Sequence, residues 1–254
     1  MELIDAEYVE YIYKVNRLRL NLAKLITYQD SLKYHIAKSL SVDYMLKIGA
    51  LEYELVKIQN NIEKDKKIIR LAKDKNISFD KISSIINKEF LEEDCKIALM
   101  GEAVDRAIKD SYKKILSEEE VIELNSYYMP LVRDLDPVIN LNVSDEEVLL
   151  FETIKEKYIS GDIKEMKKYK RFQKNELYFD ELEVYKKEEK RLLNLIERVN
   201  KENLSIKDTY PYTERKELLD ENLLRRRKDS INKEISKQND ILKSLEKEIS
   251  ELKK

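Results

Sequence analysis

Backbone punctuation is scarce in this chain. Its 254 residues include three glycines, three prolines, one cysteine, one histidine and no tryptophan, whereas glycine and proline alone make up roughly 12% of an average protein. Each shortage excludes a class. Gly49, Gly101 and Gly161 lie too far apart to build a GxGxxG turn or a GxxxxGK phosphate cradle, both of which need clustered glycines for close backbone approach. Sheets rich in hairpins need turn signals every 8–12 residues or so, and no such rhythm exists. A single cysteine forbids an internal disulfide, and one cysteine with one histidine cannot close a zinc site. A ferritin-type two-metal bundle takes Glu-x-x-His from each of two helices, which His35 alone cannot supply. No eighteen apolar residues run together, and MELIDAEYVEYIYK has neither a basic n-region nor an apolar h-region. The expectation is a soluble cytoplasmic protein with no membrane partner.

What is present is charge and periodicity. Lys and Arg (49) nearly cancel Asp and Glu (51), so no whole-protein field recruits nucleic acid or anionic lipid. With 39% of residues charged, the apolar positions must form narrow seams between helices. The first segment, about residues 3–39, carries Ile12, Val15, Leu18, Leu22, Leu25 and Leu32 at helical spacing, and Ser39 or Ser41 is placed to cap the next helix. Ile48, Leu51, Leu55, Ile58, Ile62, Ile69 and Ala72 then form a heptad seam, with Asp65 at one core position. After a break at Lys75-Asn76-Ile77, Ser78 opens a helix expected to run to about Leu116. Ser117-Glu118-Glu119-Glu120 and Ser144-Asp145-Glu146-Glu147 are capping boxes, and Gly161 reads as a helix stop before a short helix toward Phe172. Two further seams follow: Leu182, Tyr185, Leu192, Ile196 and Val199, then Ile231, Ile235, Leu242, Leu245, Ile249 and Leu252, with Gln238 in the core of the second. Joined through Tyr210-Pro211-Tyr212, they are expected to pair as an antiparallel hairpin.

Residues 121–162 read VIELNSYYMPLVRDLDPVINLNVSDEEVLLFETIKEKYISGD. Tyr128, Leu131, Val132, Arg133 and Leu135 end one helix, Pro137 and Asn140 fall in a loop, and Phe151, Ile154 and Tyr158 line the next helix. In this frame the segment resembles a J-domain (DnaJ-like), the co-chaperone module that stimulates the ATPase of Hsp70. The flanking stretches GALEYELVKIQNNIEKDKKIIRLA, FDKISSIINKEF and YPYTERKELLDENLLRRRKDSI are similar to flanks of uncharacterised bacterial helical proteins with such a module in mid-chain, so the likeness runs from about residue 45 to the end. Where that family has His-Pro-Asp, this chain has Asp136-Pro137-Val138. The family's first helix is basic; here Glu118, Glu119, Glu120 and Glu123 lead it and Arg133 is its single cation. The resemblance therefore implies a module that keeps a shape and has lost Hsp70 activation. The plainer alternative is that Pro130 and Pro137 bound a loop between helices of an ordinary bundle.

Candidate chemistry is thin. His35 reads as a partly solvated helix position and Cys95, beside Ile97, Ala98 and Leu99, as a small core residue. Sixteen tyrosines suit the rims of narrow seams, and Tyr127, Tyr128 and Tyr158 offer an alternative binding surface. Arg225, Arg226, Arg227 and Lys228 are a candidate anion-binding run, although on a helix they fan around more than one face.

The expected fold is all-α, with long antiparallel coiled-coil helices flanking a small J-domain-like helical module. Its expected divisions are an N-terminal long-helix bundle (1–116), the degenerate module (117–172) and a C-terminal hairpin (173–254). The expected function is non-enzymatic and without cofactor or metal: a protein-interaction or scaffolding role. Tyr128, Arg133, Asp136, Pro137 and Val138 are its candidate partner-binding residues. Hsp70 is a candidate partner that the chain would not activate. The alternatives are a coiled-coil protein associated with nucleic acid through 225–228 and a self-assembling spacer, a homodimer included.

Overall fold

The structure, a computed structural model, describes residues 6–73, 77–171, 179 and 181–253. The expected break at Lys75-Asn76 and the helix end near Phe172 lie outside these residues. Among the described residues the fold is all-α, with no strand.

Helix runs without a break from Ala6 to Ala72. It comprises α1 (Ala6–Ser31), α2 (Ala37–Tyr44) and α3 (Ala50–Ala72), joined by two wide π turns, Leu32–Ile36 and Met45–Gly49. The cap expected at Ser39 or Ser41 is absent because both lie inside α2. No proline stands near to break the helix, and Gly49 keeps helical angles of φ −57 and ψ −35 instead of the left-handed ones with which a glycine often ends a helix. In the first π turn the Leu32 carbonyl accepts from the Ala37 amide and from the buried Tyr212 hydroxyl at 2.6 Å.

The helix expected from Ser78 to Leu116 is two. Ser78 does cap it, accepting from the Lys81 amide, but the backbone bends at Phe90 (φ −97, ψ 7) and divides α4 (Phe79–Glu89) from α5 (Leu91–Ser111). Both capping boxes form as expected and open α6 (Glu118–Leu135) and α7 (Asp145–Ser160). Pro130 sits inside α6 and does not bound the loop. Gly161 ends α7 at φ 72, a left-handed conformation that other residues adopt only with strain, and a Cβ there would meet Leu116 at 3.1 Å. Beyond it lie α8 (Ile163–Lys168), α9 (Leu182–Lys207), α10 (Arg215–Leu219) and α11 (Glu221–Leu252).

The chain forms two compact units, each assembled from separated stretches: residues 1–39 with 115–213, and 40–114 with 214–254. This differs from three consecutive domains. In the first unit α9 packs on α1, and in the second α11 packs on α3, so neither takes the other as a hairpin partner. The pairs are also parallel rather than antiparallel. In the first unit Glu7 meets Lys186, Lys14 meets Glu189 and Gln29 meets Glu202; in the second Glu52 meets Arg227 and Lys73 meets Glu248. An apolar stripe specifies that a partner is needed but not which stripe supplies it or in which direction.

The first unit has the thicker core. Val15, Leu22 and Ala23 of α1 and Tyr185, Leu192 and Val199 of α9 join Leu124, Tyr128, Leu131, Val132 and Leu135 of α6 and Phe151, Ile154 and Tyr158 of α7. The stretch expected as a separate module is thus one layer of this core. Tyrosine is not confined to rims: Tyr128, Tyr158 and Tyr185 are fully buried, because their hydroxyls find partners inside in Asp30, Asn125 and the Phe179 amide.

In the second unit the α11 seam is visible as buried Ile231, Ile235 and Ile249, and α3 contributes Ile58, Ile62 and Ile69. Two polar residues interrupt it, as the heptads anticipate. Gln238 turns its amide to Glu234 at 2.6 Å. Asp65 has no such relief: burial, and then the Glu246 carboxylate, raise its pKa above the ordinary 3.8 against the pull of Lys253. Its ionised form is therefore disfavoured in the fold. Replacing Asp65 with Leu is expected to raise stability by about 1 kcal/mol at neutral pH in urea unfolding. The gain should shrink as pH falls through the raised value toward 3.8, since the wild-type carboxyl then protonates first in the folded chain and sheds its penalty.

Candidate functional site

The segment that carries the sequence resemblance is an antiparallel pair, α6 and α7, joined by a loop over residues 136–144. Aromatic stacking sets the pair. The Tyr128 and Tyr158 rings lie 3.9 Å apart at 19°, Phe151 lies parallel to Tyr128 at 6.2 Å, and the Tyr158 hydroxyl reaches Asn125 at 2.7 Å. Beneath them α1 presents Asp30, which accepts from the Tyr128 hydroxyl at 3.0 Å, with Lys155 at 3.9 Å from the same oxygen. Burial raises the Asp30 pKa, against the opposing effects of Lys155 and Tyr128. Burial likewise pushes both tyrosine hydroxyls far up, so they stay protonated and can donate to Asp30 and Asn125.

His35 belongs to the same cluster. It is buried, contrary to the solvated position expected, because the first π turn sets it edge-on against the Tyr158 ring at 4.9 Å. Burial lowers its pKa from 6.5, opposed by a hydrogen bond with the Tyr158 main chain and reinforced by Lys38. The sign follows directly: below 6.5 the unfolded chain takes up a proton that the fold resists. Stability is therefore expected to decline as pH falls through 6.5, and His35→Phe should remove that step from a urea-midpoint series against pH.

The loop is held by its own polar groups. Asp136 is buried, its carboxylate accepts from the Val138 amide at 2.8 Å and its carbonyl accepts from the amides of Ile139 and Asn140. Asn140 donates to the Asp134 carbonyl at 2.9 Å and accepts from the Asn142 amide at 3.2 Å. Burial raises the pKa of Asp136, and the Val138 amide opposes the shift. From α9, Arg191 donates to the carbonyls of Val138 at 2.8 Å and Ile139 at 3.0 Å while forming a two-point pair with Glu188. One guanidinium thus pins the loop tip to the parallel helix pair.

Of the five residues expected to meet a partner, Tyr128 is fully enclosed and Asp136 faces inward, so their side chains serve packing and loop geometry. Arg133 makes a two-point pair with Asp134, and its carbonyl accepts from the buried Arg19. Pro137 and Val138 are exposed. Next to them Leu141 is 65% exposed and opens onto a cavity of about 260 Å³, lined also by Asn142, Phe179, Val184, Lys187, Glu188 and Arg191. Sequence reasoning missed Arg191, Glu188 and Leu141. The Glu188-x-x-Arg191 spacing marks an ion pair on one helix face, but nothing local says that the pair reaches across to a loop fifty residues away.

The basic run does not act as one patch. Arg227 is bound to Glu52 at 2.6 Å with Glu217 at 3.7 Å, and Glu52 also accepts from Tyr44 at 2.6 Å; the Glu52 hydrogen bond raises the Arg227 pKa. Lys228 is half-buried, Arg225 reaches Asn222, and only Arg225 and Arg226 face outward beside Arg227. Cys95 is exposed rather than in the core. The neighbouring Ile97, Ala98 and Leu99 are consecutive and so spread around α5, whose one buried residue is Ala107.

Among the described residues no cluster of three or more His, Cys, Asp or Glu side chains could hold a metal ion, and no helix is long and apolar enough to cross a membrane. No protein-family model, curated protein or solved structure matches the chain.

Arg191→Ala removes the loop's tether and leaves Glu188 buried without its pair. A destabilisation of about 2–3 kcal/mol is expected. Hydrogen exchange at the Ile139 and Asn140 amides should accelerate more than exchange in α7.

Proposed function

We propose that this chain is a non-catalytic, cytoplasmic protein-interaction protein whose α6–loop–α7 segment is related in frame to J-domain co-chaperones and does not stimulate an Hsp70. The observation that carries the reading is the state of the Asp136-Pro137-Val138 tip. The side chain at the family's histidine position is a carboxylate turned into its own loop, and the side chain at the aspartate position is an exposed valine. The tip therefore offers no charged or titratable group to a chaperone surface. Its outward character is apolar, through Val138 and Leu141, beside a cavity bordered by Val184. A surface of that kind suits a partner that buries a few apolar side chains against it. The internal pairing of Arg227 weighs against the nucleic-acid alternative.

Two measurements test this. Added to an Hsp70 under steady-state conditions, the protein is expected to leave ATP hydrolysis unchanged; acceleration like that of an intact J-domain would overturn the claim. For the binding surface, any protein retained from native cytosol by the wild type should be lost on Val138→Glu with Leu141→Glu. Retention by that variant would move the interaction elsewhere on the chain.

A further inference from the structure

Charge is mixed along most of this sequence, and its longest stretch without an acidic residue is 11–29. Residues 11–29 contain Lys14, Arg17, Arg19 and Lys24 and no acidic residue, although acids number 51 in 254 overall. Arg19 is buried, and Lys14 reaches Glu189 at 2.7 Å. Arg17 and Lys24 are exposed on the outer face of α1, where Tyr13 is 70% exposed and Leu20 lies between the two cations. A cavity of about 630 Å³ opens along this face, lined by Lys14, Arg17, Leu18, Leu20, Asn21 and Lys24.

The opposite pattern lies on α7. Asp145, Glu152 and Glu156 are exposed on one face, with Leu149 between them at 63% exposure. The spacings match. Tyr13, Arg17, Leu20 and Lys24 follow steps of four, three and four, which keeps them on one side of a helix, and Asp145, Leu149, Glu152 and Glu156 do the same. Set antiparallel, the two faces pair Tyr13 with Glu156, Arg17 with Glu152, Leu20 with Leu149 and Lys24 with Asp145. Every position then has a complement: a hydroxyl with a carboxylate, two cations with two anions, and leucine with leucine. Set parallel, Arg17 would fall on Leu149 and Leu20 on Glu152.

From this complementarity we infer that the chain self-associates, the α1 outer face of one copy docking antiparallel on the α7 outer face of a second copy. The occupant is committed by sign and register together, since the α1 face is basic, the α7 face is acidic, and one orientation satisfies both. The contact is independent of the Pro137–Val138 tip. Only about three helical turns engage, so the association is weak and governed by salt.

Sedimentation of the full chain over a concentration series at low ionic strength is expected to show self-association, weakening at least about tenfold in about 0.5 M salt, where the screening length falls to roughly 4 Å. Arg17→Glu alone, or Glu152→Lys alone, opposes like charges and should raise the dissociation constant about tenfold. Both reversals in one chain recreate the pair with its signs exchanged, and association should recover. That recovery also excludes misfolding as the cause of the single-variant losses. A chain monomeric at every concentration in low salt overturns the inference, as do single reversals that associate like wild type or a double reversal that does not recover.

Discussion

A long helix with an apolar stripe is unstable alone in water, and the stripe must be covered by another element. In most helical proteins the next helix does this after a short turn. Here glycine and proline are so sparse that α1 to α3 run as one helix through two π turns. The cover for each part comes from the far end of the chain, α9 for α1 and α11 for α3. Parallel pairing follows naturally once the partner arrives by a long connection rather than a tight turn. All else is arranged around these two pairs: α6 to α8 close over the first pair, and α4 and α5 lie against the second.

The first pair carries the more demanding chemistry. Three tyrosines are buried completely, and a buried hydroxyl without an acceptor would cost more than its ring gains. Asp30 and Asn125 supply acceptors to two of them, and Tyr185 accepts from the Phe179 amide. Asp30 in turn is an acid held in poor surroundings for charge, eased by Lys155 and Tyr128. The same compensation recurs at the α6–α7 loop. Asp136 and Asn140 face inward to satisfy backbone groups, and Arg191 takes the carbonyls left over. A loop committed in this way turns the apolar side chains of Pro137, Val138 and Leu141 to solvent, with the polar Asn142 and Ser144 exposed beside them.

Much of the local structure was legible. Ser78, Ser117, Ser144 and Gly161 act as their chemistry requires, because capping depends on groups within one helical turn. The polar interruptions Asp65 and Gln238 sit in seams where the heptads put them. Errors arose where a residue's environment is set at a distance. Cys95 has apolar neighbours in sequence and none of their shelter. His35 and Tyr128 have polar character and are enclosed by helices more than ninety residues away. Arg227 stands in a basic run, yet its partner is Glu52.

Composition and spacing by themselves determined that this protein is all-α, that its helices carry narrow seams, where several of them start and stop, and that no glycine-rich phosphate loop or closed Cys–His zinc site exists. These are consequences of backbone stereochemistry and of residues a turn apart. Tertiary structure alone decided which seam covers which, that the paired helices run parallel, that the mid-chain segment is a layer of a larger core, and which members of the Asp136-Pro137-Val138 tip face solvent. Those outcomes rest on contacts between residues separated by fifty to nearly two hundred positions, and an apolar stripe carries no record of the partner it will meet.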